Sequence, residues 1–427
     1  MGIDEAQMTY ETIAGAVAPL VDELAELYED LHANPELSMQ ETRTSEIAAT
    51  RLESLGYEVT RGVGGTGVVG VLSNGEGPRV LLRADMDALP VVEDTGLAYA
   101  SKVRARDQEG NDVGVAHACG HDMHVTWMMG AAQVLSEHRE LWGGTVLIVI
   151  QPAEELGAGA QAMIEDNFLE RFGTPDVCLG QHLAPAPAGW VLTRQGPAMA
   201  GADGLRVTLN GRGGHGSTPE RTIDPAVMAA STIMKLQTIT SRETPAHEPV
   251  VVTVGHVRVG TKENIISEKA ELGISIRTFD EAARARVLEA VERICHGEAH
   301  SFGAPDPIVE PLHSFPPLVN DPGATAVVAK AFVAAFGHER AMEGPQAMGS
   351  EDFSFFAKAA GCPSVFWFTG GHDPDAWIAA FNANRLAEEV PFNHSPQFAP
   401  VQHPTIGHGV ECLLVAALEW IGTENAS

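Results

Sequence analysis

The sequence predicts an α/β protein, with a mainly parallel sheet carrying helices on both faces and an inserted α+β domain of ferredoxin-like type. Three observations carry that expectation. Four short apolar runs, Val80-Leu-Leu82, Val146-Leu-Ile-Val-Ile150, Val177-Cys-Leu179 and Ser364-Val-Phe-Trp-Phe368, lack polar alternation and read as strands buried on both faces. Helical stretches such as Val125 to Leu135 and Ala158 to Leu169 separate them, and strands alternating with helices imply parallel pairing. The 427 residues also exceed what one core usually supports, so two domains are expected.

In chain order, Ile13, Val17, Leu20, Leu24, Leu27 and Leu31 recur at helical steps, with Pro19 starting or kinking that helix. Gly62-Val-Gly-Gly-Thr-Gly67 lacks the Lys-Ser/Thr of a nucleotide loop and reads as a turn between strands. Ligands of parallel sheets collect beyond the carboxyl ends of strands, and Asp85, Glu154 and His182 are each expected a few residues past such an end. A separate module begins near Gly201. Strand Leu205 to Leu209, helix Asp224 to Thr238, strands Val250 to Val259 and Ala270 to Thr278, helix Glu281 to His300 and strand Pro307 to Val309 give the order β-α-β-β-α-β, the split βαβ arrangement. The expected domains are therefore 1–200 with 311–427, and 201–310 as an insertion of about one hundred residues.

Lys and Arg total 27 against 57 Asp and Glu, a formal net charge of −30. Such a surface repels phosphate backbones and anionic membranes, so neither nucleic acid nor a membrane is an expected partner. It reads as a solvated acidic surface, with adaptation to salt as the lesser alternative. The five cysteines, Cys119, Cys178, Cys295, Cys362 and Cys412, are scattered without a C-x-x-C pair, which argues against a disulfide framework. The N-terminal stretch is acidic and lacks a secretory signal, and Ala6 fails the lipidation pattern that Gly2 suggests. No apolar run approaches the roughly 20 residues of a membrane span. These features point to a reducing cytoplasm.

The chemistry starts at His117-Ala-Cys-Gly-His-Asp-Met-His124, where Cys119 and His121 can converge on one ion from a glycine-punctuated loop. Alone, such a pair reads more readily as a buried cysteine and a capping histidine. Glu154-Glu155, closing an apolar strand, changes the balance, because burying adjacent carboxylates is costly unless a cation or proton compensates. One glutamate suits coordination, and the other suits holding a water and shuttling its proton. His182 follows a third strand, and His394 lies in the polar loop Pro391-Phe-Asn-His-Ser-Pro396. His32, His117, His124, His138, His403 and His408 show no comparable partners and are read as surface, capping or supporting residues. The set implies metal-assisted hydrolysis with one or two divalent ions per subunit; thiolate favours zinc, and imidazole with carboxylate admits manganese.

With these motifs the chain resembles the di-metal aminoacylase and carboxypeptidase superfamily of metallopeptidases, in the amidohydrolase branch that includes hydrolases of indoleacetyl amino acids, of hippurate and of N-acyl amino acids. The motifs run in order through His32-Ala-Asn-Pro-Glu36, Arg83-Ala-Asp-Met-Asp-Ala-Leu-Pro90, His117 to His124, Gln151-Pro-Ala-Glu-Glu155, Gly213-Gly-His-Gly-Ser-Thr-Pro219, Gly349-Ser-Glu-Asp-Phe353 and the His394 loop. The resemblance implies a catalytic domain plus a lid, with Cys119, His121, Glu155, His182 and His394 as metal ligands and Glu154 as general acid/base. Asp87 would orient a ligand from behind. Many superfamily members place a histidine ligand where this chain has Asp85, so the role of Asp85 stays open, as does bridging of two ions by Cys119.

In similar dimeric enzymes the histidine equivalent to His215 reaches the neighbouring subunit's site and steadies an oxyanion, so a homodimer or higher homo-oligomer is implied. Asn264 and Arg277 resemble residues that hold the substrate's carbonyl or carboxylate, for which a planar guanidinium is suited. The expected reaction is hydrolysis of the amide bond of an N-acyl amino acid or a related small conjugate. Carboxypeptidase, dipeptidase and aromatic-amine hydrolysis share that chemistry. A non-catalytic metal or ligand-binding protein is the rival from another class; Glu154 opposes it, since a binder needs no spare acid/base.

Overall fold

A computed structural model of the chain describes residues 3–422, with side chains described from Tyr10 onward. Met1 and Gly2, on which the lipidation reading rests, lie outside the described residues. In chain order the main strands are β1 (Glu58–Val63), β2 (Gly67–Asn74), β3 (Arg79–Asp85), β4 (Gly144–Gln151), β5 (Val177–Pro187) and β6 (Val191–Thr193). They continue with β7 (Gly201–Asn210), β8 (Val250–Val259), β9 (Lys269–Thr278), β10 (Ile308–Phe315), β11 (Ala341–Glu343) and β12 (Ser364–His372). The chain forms two compact units: the first holds everything up to Gly196, Asn320–Pro345 and the chain from Asp352 onward, and the second holds Pro197–Val319 and Gln346–Glu351.

The first unit is built on an eight-stranded sheet in the order β1-β2-β4-β3-β5-β12-β6-β11. The four apolar runs of the sequence are its contiguous centre, β4-β3-β5-β12, and each pairs parallel to the next. From Val80 to Asp85 every residue of β3 is buried, so both faces of the sheet are covered. Val80, Leu82 and Ala84 share one core with Trp127, Met128, Val410 and Leu414 from helices His121–Glu137 and Thr405–Ile421. Trp127 Nε1 ties the two helices together by donating to the Thr405 carbonyl at 2.9 Å.

Three expectations in this unit shift. The first helix is two helices, Ile3–Val17 and Val21–Ala33, joined by a 3-10 turn at Ala18–Leu20, because Pro19 lacks the N–H that a continuous helix needs. The stretch 158–169 likewise splits into Gly159–Glu165 and Phe168–Phe172, with Asn167 in the left-handed region (φ 57°) between them. His182 lies inside β5 rather than past its end. The strand continues past Leu179 through Gln181, whose amide is buried and satisfied: Nε2 donates to Gly409 O at 2.9 Å, and Oε1 accepts from Trp367 Nε1 at 3.0 Å.

The second unit has a four-stranded antiparallel sheet in the order β8-β9-β7-β10, with helices Pro225–Thr238 and Glu281–Ser301 inserted after β7 and β9. Asp224 and Asp280 cap these helices by accepting the N–H groups of Ala226 and Ala283. Val207, Leu209, Leu272 and Ile274 from the sheet pack with Met228, Leu236, Val291 and Ile294 from the helices. The last strand runs on to Phe315, well beyond Val309. Pro311 is tolerated there because β10 is an edge strand and the proline sits at its register shift opposite Leu205, where no ladder N–H is required. Among the described residues no helix is long and apolar enough to cross a membrane.

Candidate metal centre

The donors of the first unit gather at the carboxyl ends of the central parallel strands. Asp85 is the last residue of β3, and Glu154 and Glu155 follow β4 after Pro152-Ala153. β5 pairs with β3 only as far as Arg83↔Gly180, so His182 stands just beyond that ladder. Cys119 immediately precedes the helix His121–Glu137, whose first residue is itself a donor. Between them Gly120 is left-handed (φ 85°), and a Cβ there would lie 2.5 Å from Leu183 Cδ2. Only glycine permits the helix start to come this close to β5.

Two non-glycine residues beside the donors also adopt the left-handed conformation, Ala153 (φ 48°) and His394 (φ 71°). Such backbone costs on the order of 1–2 kcal/mol and persists where surrounding bonds over-determine it. The Ala153 N–H donates to Glu41 Oε1 at 2.9 Å, and the His394 N–H donates to the Ala118 carbonyl at 2.7 Å. The Asn393 amide completes the clamp by donating to the carbonyls of Cys119 and Leu183, each at 3.2 Å.

The structure brings Cys119, His121, Glu154, Glu155, His182 and His394 together. Cys119 Sγ is 3.5 Å from His182 Nε2, and His394 Nε2 is 3.4 Å from Glu155 Oε1. His121 Nε2 lies 3.8 Å from Glu155 Oε1 and 4.0 Å from Glu154 Oε2. Donor atoms about 2.0–2.3 Å from a four-coordinate ion stand roughly 3.3–3.7 Å apart, so these spacings match shared coordination better than hydrogen bonds. Groups of donor atoms lying within 4.8 Å of one another include Asp85/His121/His124/His182, Cys119/Glu155/His394 and His121/Glu154/Glu155, the last two sharing Glu155. His121 Nδ1, His121 Nε2 and Glu155 Oε1 are buried without a hydrogen-bond partner. Burying such atoms is costly, and a divalent cation is a partner that would satisfy the Glu155 carboxylate and His121 Nε2 at once, while His121 Nδ1 faces Asp87. The residues present therefore fit a divalent metal.

The surrounding charges make the cluster one that draws in positive charge. Burial pushes His182 well below its ordinary range, and its Nδ1 bonds the Leu183 carbonyl at 2.8 Å, which leaves the Nε2 lone pair facing Cys119. Burial alone would lower His121 too, but Asp85 and Cys119 hold it well above its usual value. Asp85 would be raised by burial, yet Arg83, His121 and His124 hold it well below the carboxylate range. Asp87 is likewise held down against burial, chiefly by His121. It lies 3.3 Å from His121 Nδ1 and accepts the backbone N–H groups of Glu154 and Glu155 at 3.1 and 3.0 Å.

Sequence reasoning allowed His32 and His124 a supporting role but missed their partners, and it missed the role of Arg83 altogether. His124 does have partners: Nδ1 stands 2.5 Å from Asp85 Oδ1, and Nε2 accepts the Leu183 N–H at 2.8 Å, so neither nitrogen is spare. Its spacing three residues after His121 on a helix was the available signal. Arg83 is fully buried and fans out to Gln151 Oε1 (2.8 Å), Asp85 Oδ2 (2.7 Å) and Asp352 Oδ1 (3.1 Å). His32 is also buried, between Asp122 Oδ2 at 2.7 Å and Glu93 Oε1 at 3.0 Å. Burial disfavours its charge, but the hydrogen bonds it donates to Asp122 and Glu93 push it up to about 10. No local pattern announces these long-range pairs.

The remaining predicted residues lie in the second unit. His215 is exposed and pairs across a two-residue ladder with Ile265, next to Asn264, whose carbonyl accepts the Gly216 N–H at 2.8 Å. His215 Nδ1 accepts the Ser217 N–H at 3.1 Å, so the ring proton belongs on Nε2. Arg277, on β9, is lowered by burial and donates to Ser350 Oγ.

Residues 81–388 match the family model described as Peptidase family M20/M25/M40. The chain is 36% identical over 365 residues to thermostable carboxypeptidase 2 of Saccharolobus solfataricus, covering 84% of this chain and 88% of that one. It is 36% identical over 397 residues to the IAA-amino acid hydrolase ILR1-like 2 of Arabidopsis thaliana, covering 91% and 86%. Among solved structures, a Bacillus subtilis protein described as a dinuclear metal binding peptidase from the M20 family superposes with a TM-score of 0.74 at 29% identity, covering 94% of this chain and 99% of that one.

Proposed function

The chain belongs to peptidase family M20/M25/M40 and is a metal-dependent amidohydrolase, and from that premise we propose that it cleaves the amide bond of N-acyl amino acids or related small conjugates. The observation that carries the reading is the pair Glu154-Glu155: Glu155 is common to the groups Cys119/Glu155/His394 and His121/Glu154/Glu155, and Glu154 belongs only to the second of these, 4.0 Å from His121 Nε2. Cys119, His121, Glu155, His182 and His394 are the proposed ligands. Asp85 supports them through His124 and Arg83. This donor set would hold one or two divalent ions, zinc or manganese.

When bound, the cations supply Lewis acidity that polarises the scissile carbonyl and eases deprotonation of water. Glu154 takes the proton of the attacking water and delivers it to the leaving nitrogen. Asp87 fixes the backbone of both glutamates, so the two carboxylates keep separate tasks. We assign the second unit as a ferredoxin-like lid and dimerisation domain. There His215, with its proton on Nε2, donates to the oxyanion in the partner subunit of a homodimer. Asn264 and Arg277 hold the substrate's carbonyl and carboxylate. The proposed setting is the cytoplasm, with a small-molecule substrate and neither nucleic acid nor membrane as a partner.

A carboxypeptidase or dipeptidase activity is the second reading, favoured by the similarity to the Saccharolobus carboxypeptidase. Purified protein loaded in turn with zinc, manganese and cobalt, and assayed against acetyl, benzoyl and indoleacetyl amino acids, dipeptides and aminobenzoyl conjugates, separates the two. Preferential release from acyl amino acids supports the first reading. Preference for dipeptides transfers the assignment to the second, and absence of any metal-dependent release rejects both.

A further inference from the structure

Away from the metal centre, the first unit places two free thiols against each other. Cys178 is the second residue of β5 and fully buried; Cys362 lies in the turn between helix Ser354–Ala360 and β12 and is partly exposed. Their Sγ atoms are 3.6 Å apart although the residues are 184 positions apart in the chain. That is sulfur–sulfur contact, with room for nothing in between. The neighbouring backbone fixes the approach: the Cys178 N–H donates to the Pro363 carbonyl at 3.0 Å, and Cys178 pairs with Ser364 in the parallel ladder. Of the other cysteines, Cys119 belongs to the donor cluster, Cys412 lies against His408 in a helix, and Cys295 is buried in the core of the second unit.

We propose that Cys178 and Cys362 are a redox-active dithiol that closes to a disulfide when the protein meets a low-molecular-weight disulfide such as oxidised glutathione. Cys362 is the entry point, being reachable from solvent. Its thiol is also shifted downward, first by the hydrogen bond with Cys178, while Cys178 is shifted upward by the same contact and by burial. The Cys362 thiolate attacks one sulfur of the reagent, the S–S bond of the reagent breaks, and one glutathione leaves as a thiol. Cys178 Sγ then attacks Cys362 Sγ, loses its proton, and displaces the second glutathione thiol. Two protein thiols are oxidised, and one small disulfide is reduced to two thiols. The new bond staples the start of β5 to the turn before β12, on the strand that carries His182 four residues further on.

The test uses the metal-loaded full chain, incubated natively with oxidised glutathione, quenched, unfolded and mapped by mass spectrometry with a parallel thiol titration. The expected result is loss of two titratable thiols, a mass decrease of about 2 Da and a 178–362 linked peptide, all reversed by dithiothreitol. Cys362→Ser, a change at a partly exposed turn, abolishes the linkage while leaving basal hydrolysis unaltered. Cys178→Ala traps Cys362 as the mixed disulfide with glutathione. An unchanged thiol count in the wild type, modification confined to Cys119, or a stable mixed disulfide on wild-type Cys362 without linkage to Cys178 overturns the proposal.

Discussion

The carboxylate of Asp87 lies 3.3 Å from His121 Nδ1 while accepting the main-chain N–H groups of both Glu154 and Glu155, so one side chain sets the aim of an imidazole and of two carboxylates. Ser38 Oγ donates to it at 2.6 Å and holds the carboxylate in turn. Asp87→Asn keeps the volume but replaces one acceptor oxygen with a donor. Metal affinity and kcat are each expected to fall by about 10- to 100-fold, the usual cost of losing a group that orients a ligand. Metal titration alongside steady-state kinetics checks this; wild-type values for both would remove Asp87 from the site.

Glu154→Gln preserves shape and removes basicity. The expected outcome is unchanged metal content and a kcat lower by on the order of 10²–10⁴, the range for loss of a general acid/base. Metal analysis by mass spectrometry and initial rates measure the two quantities. Retained turnover would falsify the acid/base assignment.

Chelation is expected to abolish hydrolysis and lower the thermal midpoint, because a ligand bound only by the folded state adds stability that grows with its free concentration. Adding zinc or manganese back should restore both. Cys119→Ala, with one donor fewer, should need a higher metal concentration for the same rise in midpoint. A midpoint indifferent to metal would show that the cluster binds no ion.

His32 carries a pH signature. Its pKa is pushed up to about 10 from the ordinary 6.5, so its contribution to stability is fully present below about 6.5 and disappears as pH rises toward 10. Burial works against their charge, but Asp122 and Glu93 are held below their ordinary range by neighbouring groups that include His32. Their contribution is present at neutral pH and lost as pH falls into the acid range. His32→Gln leaves buried carboxylates without their cation and should cost about 3–5 kcal/mol near neutrality. Urea unfolding at pH 7 and pH 9.5 should show a smaller pH difference in the variant than in the wild type; equal differences would place the alkaline loss elsewhere.

Arg277→Ala should raise KM for substrates bearing a free α-carboxylate by about 10- to 100-fold, the worth of a charge-assisted hydrogen bond. The same substitution should change KM for carboxamide-capped analogues little. Equal effects on both series would mean that Arg277 contacts no carboxylate.

Much of the first unit was legible because its central strands lack alternation: β4, β3, β5 and β12 each contain a short apolar run, in β3 only Val80–Leu82 between Arg79 and Arg83. The donor residues were legible for a related reason, since Cys119, His121 and the two glutamates are chemically out of place beside glycine or at the end of an apolar run. His182 was expected past a strand end and lies within β5, because the strand runs on beyond the apolar run Val177–Leu179 through Gln181, whose amide is satisfied inside the sheet. The buried pairs Arg83–Asp352 and His32–Asp122 left no trace, being 269 and 90 positions apart. Burial makes such charges informative only once both partners are known.

Helix Thr405–Ile421 and the loop carrying His394 complete the core and the donor cluster of a unit whose first strand is Glu58–Val63. On the ribosome this inverts the order of maturation. The inner segment 197–319 emerges nearly whole and can fold while the surrounding unit still lacks its final helix and keeps Trp127 and Met128 uncovered. Translation arrested anywhere before residue 394 therefore yields a polypeptide that needs chaperoning and cannot assemble the cluster, however complete its second unit has become.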